Sequence, residues 1–121
     1  MLINKKSVRG YNRAYVQRVA PVFNTSYIPN LTFDTLVIAS VNISADDTES
    51  STIFFDIDTG AGFTPIASVS NSFNVSGVLG VTGTSAIGYT ITALVPAGSS
   101  YRLRALGTAD ETIISIYELK D

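Results

Sequence analysis

The rhythm of the apolar residues limits this chain most. From residue 19 onward they fall in short runs that alternate with polar residues, each run closed by Gly, Pro, Asn, Asp or Ser. A period of two buries one face of a strand, whereas a helix needs apolar positions three and four apart. No window keeps the helical spacing long enough for an ordinary helix, and Val, Ile, Thr, Phe, Tyr and Ser outnumber helix formers. Short strands at regular spacing, separated by turn signals, mark a sandwich or barrel. The 121 residues suffice for one domain with a real core.

The runs can be placed one by one. Residues 19–23 form a first short run, with Pro21 marking an edge, and residues 24–32 form a connection. Residues 35–44 set Leu36, Ile38 and Ser40 on one face and Val37, Ala39 and Val41 on the other. Both faces are largely apolar, so this strand should be covered on both sides. Residues 45–51 read as an acidic loop holding Asp46, Asp47 and Glu49. Residues 52–58 point Ile53, Phe55 and Ile57 inward and Thr52, Phe54, Asp56 and Asp58 outward. Residues 59–62 are a glycine hairpin turn, and residues 63–69 return along an edge marked by Pro65. Residues 73–81 are glycine-rich and ambiguous. Residues 85–95 carry Ile87, Tyr89 and Ile91 on one face. Residues 100–106 alternate Tyr101, Leu103 and Ala105 against Arg102 and Arg104, and residues 107–111 are a polar turn. Residues 112–119 oppose Ile114, Ile116 and Glu118 to Ile113, Ser115, Tyr117 and Leu119. The expectation is an all-β chain, a single antiparallel β-sandwich of jelly-roll type with seven or eight strands and an extended N-terminal arm.

Charge divides the chain. Residues 1–18 hold five basic residues and no acid, while residues 19–121 hold three basic residues and all ten acids, so +5 faces 3 − 10 = −7. An acidic body with a basic arm suggests a segment that docks on something negative. We therefore divide the chain into an anchoring arm, 1–18, and a sandwich domain, 19–121. The partner-binding candidates of the arm are Lys5, Lys6, Arg9, Tyr11, Arg13, Tyr15 and Arg18. Val8, Tyr11 and Tyr15 share one helical face, while Gly10 and Asn12 suit an extended arm, and the sequence leaves both open. The body has no basic face to continue a phosphate contact, so no nucleic-acid partner is expected. No run of 18 apolar residues exists, so no membrane span is expected either. Phe54 lies outward on a strand whose inner face is already filled, and the last strand is apolar on both faces. Phe54, Ile113, Tyr117 and Leu119 are therefore candidates for contacts between subunits.

Chemistry finds little purchase. The chain has no histidine and no cysteine, which excludes disulfides, thiolate zinc sites, and Ser–His–Asp or Cys–His catalysis. Asp56-Ile57-Asp58-Thr59-Gly60 resembles the start of a calcium loop, but positions 6 and 12 are Ala61 and Ala67 where such a loop needs Gly and Glu. Asp56 and Asp58 are read instead as a solvated strand edge. Asp46, Asp47 and Glu49 remain as an irregular calcium alternative. No Gly-x-Ser-x-Gly elbow and no complete dinucleotide loop appear. We expect no catalytic residue, no metal and no cofactor.

The closing third carries a resemblance. Val95-Pro96-Ala97-Gly98-Ser99-Ser100-Tyr101-Arg102-Leu103, then Gly107-Thr108-Ala109, then Ile113-Ile114-Ser115-Ile116-Tyr117-Glu118-Leu119-Lys120 resembles the end of bacteriophage fibre-type domains. Those domains have a "V-P-x-G-x-x-Y" turn, a Gly-rich hairpin and a last strand of the form "I-x-S-x-x-E-L-[K/R]". Upstream, Thr25-Ser26-Tyr27-Ile28-Pro29-Asn30 and Leu36-Val37-Ile38-Ala39-Ser40-Val41 are similar to the family's opening and following strand, and Phe55-Asp56-Ile57-Asp58-Thr59-Gly60 takes the place of its central hairpin. The resemblance spans roughly residues 20–120; the family's usual tryptophan in the last strand is replaced here by Ile116 or Tyr117. It implies a trimeric virion β-sandwich of the tail-fibre or capsid-decoration (head fibre) type. Its partners would be the major capsid protein or another virion protein, and its place the virion surface after assembly in the host cytoplasm. The chain lacks a fibrous stalk, which favours a short decoration protein attached through its arm. The alternative is a tail-fibre or tail-tip module that binds a host glycan or receptor, with Tyr27, Tyr89 and Phe54 as stacking candidates.

Overall fold

The computed structural model describes residues 14–75 and 83–120, and every regular element among them is a strand. There are seven: β1 (Ala14–Gln17), β2 (Thr35–Asp46), β3 (Glu49–Asp58), β4 (Phe63–Phe73), β5 (Thr84–Val95), β6 (Ser100–Gly107) and β7 (Asp110–Lys120). They form two antiparallel sheets, ordered β1-β7-β2-β5 and β4-β3-β6, that face each other as a sandwich. The connections β2–β3, β5–β6 and β6–β7 each cross from one sheet to the other, while β3–β4 is a hairpin within its sheet.

The alternation read from the sequence explains the core. Val37, Ala39, Val41, Ile43 and Ala45 of β2 are fully buried against Ile53, Phe55 and Ile57 of β3, Tyr101 and Leu103 of β6, and Ile91 of β5. Phe55 stacks on Tyr101 with ring centroids 5.4 Å apart. Residues 35–44, expected to be covered on both sides, are not: the outward residues of β2 are only half-buried, flanked by β5 and β7, and no second layer among the described residues covers them.

Several expectations change. Residues 19–23 form no strand; the first strand is Ala14–Gln17, paired with Tyr117–Lys120 of β7. The acidic stretch 45–51 is not a loop. Strands β2 and β3 run through it, leaving a sharp corner at Asp47 and Thr48, where Thr48 adopts φ 66°. Pro65 does lie on an edge strand, at a bulge where the β3–β4 register shifts between Phe55 and Asp56. A second shift, between Ser40 and Val41 against β7, leaves Ile114 without a partner on β2. Simple alternation therefore fails in the last strand. Ile113 opposite Val41 and Ile116 opposite Ala39 both turn to the core, and Ile114 is left exposed. The ambiguous run 73–81 lies largely outside the described residues.

Gly107, at the end of β6, shows how tightly the corner is packed. Its φ is 142°, and a Cβ there would sit 2.2 Å from the Ser50 carbonyl oxygen. Only glycine lets β6 pass β3 so closely.

Candidate attachment site

The N-terminal strand is fastened by more than its ladder. The Arg18 amide donates to the Ile116 carbonyl at 2.8 Å. Its guanidinium then enters the core face of β7. Nε donates to Glu118 Oε2 at 2.6 Å and a terminal nitrogen donates to Oε1 at 3.1 Å. Glu118 follows Ile116 on the buried face and is 1% exposed, so its carboxylate needs partners. It accepts a short hydrogen bond from the Tyr101 hydroxyl and pairs with Lys120 Nζ at 3.1 Å. The other side of Arg18 lies over the Tyr27 ring, 4.3 Å from its centroid. Tyr27 bridges to Tyr101 through two backbone hydrogen bonds and accepts one from the Val22 amide on its hydroxyl. One residue thus ties the N-terminal strand, the 19–27 connection, β6 and β7 together.

The electrostatics follow from the geometry. Burial pushes the Glu118 carboxyl up, but hydrogen bonds from Arg18, Tyr101 and Lys120 outweigh it and hold it below its ordinary value. Burial, then the Glu118 carboxylate, drive the Tyr101 hydroxyl far above the usual tyrosine range, so it stays a donor. Burial opposes the Arg18 charge, but its bond to Glu118 more than restores it.

The opposite sheet has its own buried acid. Asp56, expected to be solvated, is 1% exposed and sits on the central strand of the three-stranded sheet. It accepts from Arg102 Nε at 2.9 Å and Arg104 Nε at 2.8 Å. Burial pushes its carboxyl up, yet the hydrogen bonds from Arg104 and Arg102 leave it below the ordinary value. The two guanidiniums lie over Phe63 and Phe54, each 4.1 Å from the ring centroid. The outward face of this sheet is therefore charged, and the Phe54 ring is covered by Arg104. Asp58 accepts from the amides of Gly60 and Gly62, closing the hairpin turn.

The residues singled out from the sequence do not share one place. Lys5, Lys6, Arg9, Tyr11 and Arg13 lie outside the described residues. Tyr15 projects from β1 and is 53% exposed. Arg18, expected to bind a partner, has its guanidinium on an acid of its own chain. Ile113, expected at a subunit contact, packs against the core, because the bulge at Ile114 turns it inward. Tyr117 and Leu119 remain on the outer face of the four-stranded sheet. Asp46, Asp47 and Glu49 are engaged with Thr84, the Val75 amide and the Asp46 amide, and no group of carboxylates suited to a metal occurs among the described residues.

A cleft of about 270 Å³ opens where β4 and β5 leave their sheets unpaired, lined by Ser50, Thr52, Ser70, Ser72 and Tyr89. Asn71 stitches this seam by donating to the Ile43 and Ser85 carbonyls, and the Tyr89 hydroxyl donates to the Ser70 carbonyl. The cleft is rich in hydroxyls; Ser51 also lines it, its hydroxyl donating to Glu111 Oε1 at 2.9 Å and accepting from the Ala109 amide.

No protein-family model matches the chain. No curated protein matches it. Among solved structures it is similar to the Eiger TNF from S. frugiperda, with a TM-score of 0.50 at 10% sequence identity. That match covers 76% of this chain and 61% of the other, so the chain spans less than two-thirds of that neighbour's length. At this identity the likeness concerns the fold alone, a jelly-roll sandwich.

Proposed function

We propose that this chain is a non-enzymatic structural protein of a bacteriophage virion: a trimeric capsid decoration protein attached through its N-terminal segment. The observation that carries the reading is the distribution of basic residues along the chain. Every basic side chain among the described residues bonds an acid of its own chain: Arg18 and Lys120 hold Glu118, and Arg102 and Arg104 hold Asp56. Residues 1–13 carry Lys5, Lys6, Arg9 and Arg13 and no acid, +4, while residues 14–121 carry four basic residues and ten acids, 4 − 10 = −6. The remaining basic residues thus precede, in sequence, a strand that the ladder and the Arg18 clamp fix to the body. Such a segment is steered to an acidic shell, and its Leu2, Ile3, Val8 and Tyr11 supply apolar contact. The resemblance of the closing third to phage fibre-type domains supports the virion setting.

The test is co-sedimentation of the purified chain with particles that lack it. The wild type should pellet with them and be released by salt. The K5E/K6E/R9E/R13E variant should keep its fold and stay in the supernatant. If that variant pellets as the wild type does, the anchoring role is wrong.

The cleft beside Tyr89 favours a second reading, a tail-fibre or tail-tip module that binds a host glycan. A hydroxyl-lined cleft with an aromatic wall suits a sugar. On a glycan array the decoration reading expects no specific hit; a hit abolished by Tyr89→Ala would favour the second reading.

A further inference from the structure

We infer that copies of this chain pack on one another through the outer face of the four-stranded sheet, along an apolar stripe that crosses all four strands. The inference rests on the trimeric reading above and names the surface that reading leaves open.

The register defines the stripe. Tyr15 of β1 is paired with Leu119 of β7, and Leu36 of β2 with Leu94 of β5. Leu119 is one step beyond the Val37–Glu118 pair and so lies beside Leu36. In the next row Ile38 stands beside Tyr117. Leu94 is 56% exposed, Tyr15 53% and Tyr117 38%. A contiguous apolar row across a whole sheet differs from the scattered exposed residues of an ordinary surface.

Charge selects the occupant. Residues 14–121 carry a net −6, so two copies meet with least repulsion across a part of the surface that holds no carboxylate. The stripe lies in such a part. The next two rows hold Ser115, Ser40 and Thr90, then Thr112, Asn42 and Gly88. From Leu36 to Asn42 no charged side chain stands on it. The other sheet's outer face is occupied by Asp56 and its two arginines. A basic partner would find nothing to pair with on the apolar part of the face, whereas a second copy meets a like apolar surface there with the acids of both copies held away from the contact. Packing here also serves attachment. Tyr15 belongs to the stripe, so the strands that follow residues 1–13 in each copy are brought together. Several basic segments then act at once, which raises avidity without any new contact.

The test is the mass of the full chain by light scattering. Wild type should run at three times 12.9 kDa, and so should Leu106→Glu, which changes a residue 63% exposed on the opposite sheet. Leu94→Glu and Tyr117→Glu should run as monomers with unchanged far-UV circular dichroism. The chain has no cysteine, so single-cysteine variants give a second measurement. L94C should react with a maleimide about tenfold or more slowly than L106C, the protection a buried interface position gives. A trimer that survives Leu94→Glu, with L94C as reactive as L106C, overturns this inference and leaves the trimeric reading intact. A wild-type monomer overturns both. If L94C is protected in that monomer, the stripe is covered by residues 1–13 of the same chain. If Leu94→Glu abolishes attachment of that monomer to particles, the stripe belongs to the partner protein.

Discussion

Replacing Arg18 by methionine removes the cation from a carboxylate that has nowhere to go. Glu118 is 1% exposed and faces the core from β7. Removing one partner of a buried pair costs about 3–5 kcal/mol, because the remaining charge stays uncompensated. Here Lys120 and Tyr101 stay in place, so we expect the lower end, about 3 kcal/mol. For a domain of this size that corresponds to a fall in Tm of about 12 °C. The pH dependence adds a signature. In the wild type Glu118 lies below its ordinary value, so its stabilisation is complete above the unfolded-state range and is lost as pH falls through the folded value. In Arg18→Met burial dominates, Glu118 takes up its proton at higher pH, and the protonated acid no longer needs the arginine. The deficit relative to wild type should therefore shrink from pH 7 towards pH 4. Thermal unfolding followed by circular dichroism across that range measures both effects. The double variant Arg18→Met, Glu118→Gln should recover part of the loss. A deficit under about 1 kcal/mol that does not change with pH would refute the clamp.

Four further changes test other parts of the structure. Asp56→Ala frees Arg102 and Arg104, and should cost about 2 kcal/mol in urea unfolding at pH 7, with a smaller difference in acid because the carboxyl is held low. Gly107→Ala forces a Cβ to within 2.2 Å of the Ser50 carbonyl oxygen and should cost about 3 kcal/mol or more. Gly60→Ala, where nothing lies within 4 Å, should cost about 1–2 kcal/mol from backbone strain alone. Thr35 buries a hydroxyl that has no hydrogen-bond partner among the described residues, so Thr35→Val should be neutral or stabilising by about 1 kcal/mol in the same unfolding assay.

Strands whose sides differ in polarity were legible from the chain alone. In β3, Ile53, Phe55 and Ile57 fall on the buried side as alternation requires, and Tyr101 and Leu103 do so in β6. The bulge at Ile114 was not legible, because three isoleucines within residues 113–116 fit either face equally well. Strand β1 is four residues long, Ala14, Tyr15 and Val16 are apolar in succession without alternation, and its partner strand lies about a hundred residues away, so local pattern carried no trace of it. The same distance hid the Arg18–Glu118 pair. A signal did exist: in the order Ile116-Tyr117-Glu118, alternation places the acid on the isoleucine's face, and a carboxylate on a buried face requires a cation nearby. Asp56 differs, since it lies on the outward face, where the two arginines of the neighbouring strand pair with it.

The account rests on a sandwich fastened to a larger particle by the basic segment ahead of β1. Electron cryomicroscopy of the intact virion tests this most directly. The predicted density is a three-fold cluster of sandwiches on the outer shell, with Lys5, Lys6, Arg9 and Arg13 of each copy set against acidic side chains of the shell protein and the Arg18–Glu118 pair intact beneath them. Density in which residues 1–13 make no contact with another protein, or virions that lack the chain altogether, would contradict it.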